Sequence, residues 1–304
     1  MDNSRRIPAT QLINGEVLSV YHNPTLYQQA LDFEPEVGDI IEVTYTRSGT
    51  HLVQQMIQLI VNSGRSTQTF AEFTERAPFL EVQGPQETEA PRLLRTHIPM
   101  HRLRLSDKAK YVYVARNPWD CCVSNFHLMK DLPGFEFADG SFDDFLDVFL
   151  EGQFGFGDYF DHVNSGFRHR RDANVFFVTY EEIARNKADV VLKLAHFLGK
   201  GYGEMVESSS EILKLILEKS GIDFMKNLLE TNESDMARVF RSGAVSTNAR
   251  GKTSDSPKMA KYSFVRKGAV GDGSSYFSQE NTQKMQEKID EKFRDTDIMG
   301  LWRA

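Results

Sequence analysis

The chain has 304 residues, 40% of them hydrophobic, and a formal net charge of −7 at pH 7. That is enough apolar material to bury a full core, as one large α/β domain or two smaller ones. The acidic balance excludes a general nucleic-acid binder, so any anion site must be a local basic cluster, and no apolar run reaches the roughly 18 residues that a membrane helix needs.

Residues 1–39 read as a loop-rich N-terminal segment, punctuated by Pro24, Pro35 and Gly38. They open with charges but no apolar stretch, so no secretory signal is expected. Residues 40–61, IIEVTYTRSGTHLVQQMIQLIV, predict a strand, a short polar turn and an amphipathic helix with Leu52, Met56, Leu59 and Ile60 on one face. Residues 63–92 are polar and turn-rich, and a short apolar and basic segment, RLLRTHIP, follows. KYVYVAR (110–116) predicts a buried parallel strand, with Pro118 where the next helix begins. The adjacent Cys121 and Cys122 suit neither a disulfide framework nor a metal site, which fits a reducing, cytoplasmic setting.

SFDDFLDVFLEG (141–152) has a serine cap, early acids, an apolar stripe and a terminal glycine, so it predicts a helix. NVFFVTY (174–180) predicts a third buried strand running into one helix that ends at Gly199. Helices are also expected over 211–219 and 281–293, and residues 241–263 read as a mobile loop. Alternating strands and helices imply an α/β fold: one domain with a central parallel sheet covered by helices on both faces.

Four clusters carry chemistry. TYTRSGTH joins strand to helix, the geometry that aims backbone N–H groups and a helix N-terminus at a phosphate. Arg47 adds fixed charge, Ser48 and Thr50 add hydroxyls, and Gly49 permits close approach. The loop lacks the spacing and terminal lysine of a Walker A motif, which counts against a P-loop kinase. The bland alternative is an ordinary capped turn. In RTHIP, His97 is either structural or a neutral base whose pKa neighbouring arginines hold down. Arg116 ends a strand, where open sheets bind ligands, or it pairs with Asp120. Arg266, Lys267 and Gly268 form a basic turn, or a solvated one. Two basic loops plus Arg116 suit a ligand with phosphates at two ends. Phe137, Phe142, Phe154, Phe156, Tyr159 and Phe160 form an aromatic-rich region that favours a flat acceptor if two of them line a pocket, although core packing accounts for most.

In order, these segments resemble the cytosolic sulfotransferase family over about residues 40–280. Tyr45-Thr46-Arg47-Ser48-Gly49-Thr50-His51-Leu52 stands where the family has Tyr-Pro-Lys-Ser-Gly-Thr-Thr-Trp. Arg95-Thr96-His97-Ile98-Pro99 matches Lys-Thr-His-Leu-Pro, and Arg116 to Ser124 matches Arg-Asn-Pro-x-Asp-x-x-Val-Ser. Tyr180-Glu181-Glu182 matches Tyr-Glu-Asp, and Arg266 to Asp272 matches Arg-Lys-Gly-x-x-Gly-Asp.

The resemblance implies PAPS (3′-phosphoadenylyl sulfate) as sulfuryl donor and PAP as product. It assigns the 5′-phosphosulfate end to Ser48, Gly49, Thr50 and His51. It gives the 3′-phosphate to Arg116, Ser124, Arg266, Lys267 and Gly268, and the adenine to Tyr180, with Ser220 nearby. His97 becomes the base on a small hydroxyl acceptor, Arg47 replaces the lysine that stabilises the leaving group, and Arg95 replaces a second active-site lysine. Leu52 and Ile222 stand where the family stacks tryptophan and phenylalanine on the adenine. The family's dimer motif is not recognisable in GSSYFSQENTQ. No membrane or nucleic-acid partner is expected. These departures keep a second expectation open: a PAP- or PAPS-binding protein of this fold with little catalysis.

Overall fold

The computed structural model describes residues 5–85, 90–232 and 261–302, together with Asp235, Met236 and Val239. Four parallel strands form the central sheet: β3 (Ile40–Thr44), β4 (Leu93–Thr96), β5 (Lys110–Ala115) and β6 (Val175–Thr179), in the spatial order β4-β3-β5-β6. Their runs are β-branched and aromatic because both faces are buried. Period-two alternation divides them. Ile41, Val43, Tyr111 and Tyr113 join one core cluster, and Ile40, Val112 and Val114 join the other. The first face carries α1 (Pro24–Asp32), α5 (Pro118–Asp131), α6 (Phe142–Glu151), α7 (Tyr159–Arg168) and α13 (Gln279–Lys292). The second carries α2 (Thr50–Val61), α9 (Lys187–Leu198), α10 (Lys200–Ser208) and α11 (Ser210–Lys219). The fold is α/β with helices on both faces.

From β3 the chain crosses to one neighbour, β4, and then to the other, β5. The crevice outside the carboxyl ends of β3 and β5 is therefore the switch point where such sheets bind ligands. Among the described residues, no helix is long and apolar enough to cross a membrane.

Several elements depart from the sequence reading. The segment expected to be loop-rich holds regular elements: strands β1 (Thr10–Ile13) and β2 (Glu16–Ser19) pair as a hairpin, and α1 follows. Asn14 and Gly15 take φ of 53° and 84°, the pair of positive angles that closes a tight hairpin. Residues 63–92 contain two short helices, α3 (Phe70–Arg76) and α4 (Leu80–Gln83). RLLRTHIP contains the edge strand β4. The single helix expected after β6 breaks at Asn186, where φ is −144°, into α8 (Tyr180–Arg185) and α9. A short helix, α12 (Ile222–Leu228), precedes β7 (Glu230–Asn232). Of the loop expected over 241–263, residues 241–260 lie outside the described residues, and Lys261–Ser263 is a strand, β8, paired with β7.

Candidate active site

The turn between β3 and α2 presents unpaired donors. Gly49 caps α2 with φ of 113°, and no side chain caps this end. The first N–H groups of any helix lack partners within it. Here Ser48 N–H turns back to Tyr45 O, and among the described residues no backbone bond takes the N–H of Thr50, His51 or Leu52. A Cβ on Gly49 would lie 2.9 Å from the Tyr180 ring, so glycine is what lets that ring close over the loop. Arg47 also has a positive φ, 65°, a strained conformation for a side-chain-bearing residue. The Thr44 and Thr50 hydroxyls meet at 2.7 Å.

Beside this turn lies a basic set. Arg116 leaves β5 with its guanidinium 4.5 Å from the centre of the Tyr180 ring and donates to Arg47 O at 3.0 Å. Among the described residues, the buried Nε atoms of Arg116 and Arg266 have no hydrogen-bond partner. Arg47 Nε donates to Ser124 Oγ at 3.0 Å, and its Nη1 donates to Phe264 O at 2.8 Å. Burial, with Arg116 and Arg266 nearby, lowers the Arg47 pKa to about 10, so it stays cationic at neutral pH. Asp120 does not pair with Arg116. Its carboxylate accepts from Gly271 N–H at 2.7 Å and Gly273 N–H at 2.9 Å, which ties the Arg266 loop to the start of α5. Asp272 pairs with Arg266 at 2.5 Å and Lys267 at 2.8 Å.

His97 follows β4 and is fixed on three sides. Its N–H donates to Glu81 Oε1 at 2.7 Å, and its carbonyl accepts from His162 Nε2 at 3.2 Å. Its Nδ1 lies 2.7 Å from Thr44 O. A carbonyl only accepts, so Nδ1 carries the proton and Nε2 keeps the lone pair. Burial lowers the His97 pKa to about 4, helped by Arg95 and opposed by the bond to Thr44.

One cavity of about 420 Å³ joins these groups. Of the residues singled out from sequence, Arg47, Gly49, Thr50, His51, Leu52, His97, Arg116, Ser124, Tyr180, Ser220, Ile222, Arg266, Lys267 and Gly268 line it. Ser48 and Arg95 do not. The Ser48 side chain is fully buried and faces the Cys121 sulfur at 3.8 Å. Arg95 is fully buried on the α2 face of the sheet. It donates to Ala77 O at 2.6 Å and lies 4.2 Å from the Phe79 ring centre and 5.2 Å from that of Phe73. It stands in register with Glu42 of β3, whose carboxyl burial pushes well up. Arg95 therefore stands behind the lining residue Phe79 rather than on the cavity wall itself. His51 reaches the cavity as a neutral ring among Phe70, Phe73, Phe79 and Phe264, with burial holding its pKa well below the usual value.

Of the six aromatic residues expected near an acceptor, Phe156 alone lines the cavity. Phe137, Phe154, Tyr159 and Phe160 are core residues, and Phe142 packs on Phe277 at 5.0 Å. The aromatic wall comes instead from Tyr21, Phe70, Phe79, Phe135 and Phe264. Ser19, Tyr21, His22 and Lys187 are lining residues that sequence reasoning missed. The Asn14-Gly15 pair is a tight-turn signal that could have found the hairpin, but nothing in the sequence points that hairpin at this cavity. Among the described residues, no group of three or more His, Cys, Asp or Glu is placed to hold a metal.

A family model of the sulfotransferase domain matches residues 38–297. The amine sulfotransferase of Oryctolagus cuniculus is 28% identical over 284 residues, covering 89% of this chain and 86% of the relative. Sulfotransferase 1B1 of Mus musculus is 28% identical over 301 residues, covering 92% of each. Among solved structures, mouse sulfotransferase SULT7A1 complexed with PAP superposes with a TM-score of 0.69 at 25% identity, covering 95% of each chain. Retinol dehydratase in complex with retinol and PAP shares the fold, with a TM-score of 0.69 at 23% identity, covering 88% of this chain and 85% of that one. This chain belongs to the sulfotransferase family.

Proposed function

We propose that the protein transfers a sulfuryl group from PAPS to the hydroxyl of a small, aromatic acceptor, with His97 as the base. The observation that carries this reading is one cavity with a cradle of free donors at one side and a neutral, oriented imidazole at the other. The chain's residues fit the donor nucleotide. The unpaired N–H groups of α2 suit its 5′ end, and the unpartnered Nε atoms of Arg116 and Arg266 suit its 3′-phosphate. Tyr180, Ile222 and Leu52 suit the adenine faces. PAPS supplies the activated sulfuryl group.

His97 Nε2 takes the proton from the acceptor hydroxyl, a role worth about a hundredfold or more in rate. Arg47 holds positive charge at the loop but cannot readily give up a proton, so it acts by stabilising charge. The aromatic wall suits a flat acceptor. His97→Ala is expected to lower turnover by at least about a hundredfold while PAP affinity stays unchanged. Transfer at the wild-type rate by that variant would remove His97 from the mechanism.

One observation favours a second reading. The Arg47 guanidinium is engaged by Ser124 and Phe264 O rather than left free for a leaving group. A nucleotide-binding protein with little catalysis predicts PAP binding and no turnover across many acceptors.

A further inference from the structure

His22 is a buried, neutral imidazole on the wall of the same cavity and has no part in the reaction above. It is 6% exposed. Its backbone is pinned: its N–H donates to Ser19 O at 3.0 Å, and Gln11 Nε2 donates to both Ser19 O and His22 O at 2.8 Å. Asn23 then caps α1. The ring lies against Tyr27 at 5.6 Å and edge-on to Phe156 at 5.7 Å. The Phe156 ring in turn stands 5.8 Å from the His97 ring. The two histidines therefore share one aromatic wall and face one compartment.

The His22 Nδ1 is buried with no hydrogen-bond partner among the described residues, and the ring lines the cavity. Buried polar atoms are nearly always paired, so this imidazole is not tied to the protein through Nδ1, and the edge that lines the cavity can meet a ligand's polar group. Burial and the nearby His97 lower the His22 pKa to about 3, so the ring stays neutral and offers one donor and one acceptor. Among the described residues that line the cavity none is Asp or Glu, so none of them is matched to an ammonium group.

We infer that His22 is a specificity-determining residue. It recognises a second, neutral hydrogen-bonding group on the acceptor, remote from the hydroxyl presented to His97. The preferred substrates are then aromatic alcohols with a second hydroxyl or carbonyl, rather than simple alkylphenols. This rests on the sulfotransferase reading, which it deepens.

The test compares tyrosol with its isostere para-propylphenol as acceptors for PAPS, in the wild-type protein, His22→Phe and His22→Gln. The wild type is expected to favour tyrosol by roughly 10-fold in kcat/KM, mostly through KM, as sites built around a polar partner do. His22→Phe should erase that preference while keeping PAP affinity and turnover of para-propylphenol. His22→Gln, which retains polar atoms, should keep part of it. Equal use of both acceptors by the wild type, or an unchanged preference in His22→Phe, overturns the inference alone. No turnover of either phenol by wild-type protein that binds PAP overturns the functional reading and this inference together.

Discussion

At His97 the decisive fact is which nitrogen carries the proton. Thr44 O holds the proton on Nδ1, so the other nitrogen is free to act as base. Because burial depresses the pKa to about 4, the basic form persists far into acid. Activity should hold as pH falls through 6.5, the usual histidine value, and be lost as it falls through about 4. The acid limb of a kcat/KM profile checks this; a limb centred near 6.5 would mean a solvated imidazole. The same depression affects folding. The unfolded ring takes up a proton below 6.5 and the folded one does not. Stability is therefore whole above 6.5 and drains away toward 4, by about 1.4 kcal/mol per pH unit for each such ring. Initial rates well below the melting temperature keep the two effects apart.

At the scale of elements, one carboxylate joins two basic segments distant in sequence. Asp120, in the first turn of α5, accepts the N–H groups of Gly271 and Gly273 and so sets the Arg266 loop beside Arg116. Asp120→Ala leaves both donors unpaired. The loop should loosen and PAP affinity fall by roughly 10-fold or more, since each bond to a charged acceptor is worth about 1.5–3 kcal/mol. Calorimetry reads this directly, and an unchanged affinity would show that Arg266 is placed by other contacts. The strong local signals were legible in the sequence: the buried runs of β3, β5 and β6, and the Ser141-to-Gly152 helix with its caps. β4 was not, because a four-residue edge strand that includes an arginine reads as a basic connector. The role of Asp120 was also hidden, since its partners lie more than a hundred residues away.

Across the whole molecule, β3 and β5 end side by side, which brings Arg47 and Arg116 together. The residues picked from the TYTRSGTH, Arg116 and Arg266 motifs mostly line the one cavity, and the first two of these motifs sit where a predicted strand ends. The acceptor side was not legible in the sequence. His22 and Tyr21 reach the cavity because the N-terminal hairpin docks on the segment around Gly155, where Ser19 N–H donates to Gly155 O at 2.8 Å. That contact follows from tertiary packing and carries no local signature. Arg95 is a further case: its motif matched, and its guanidinium donates to Ala77 O beneath the Phe79 ring rather than lining the cavity.

The central claim is a cavity built for a nucleotide with a 3′-phosphate as well as a 5′-phosphate. Calorimetric titration of the purified protein with PAP, with ATP as the control, tests it most directly. The account predicts tight PAP binding and weak ATP binding. Undetectable PAP binding, or equal affinity for ATP, would contradict it.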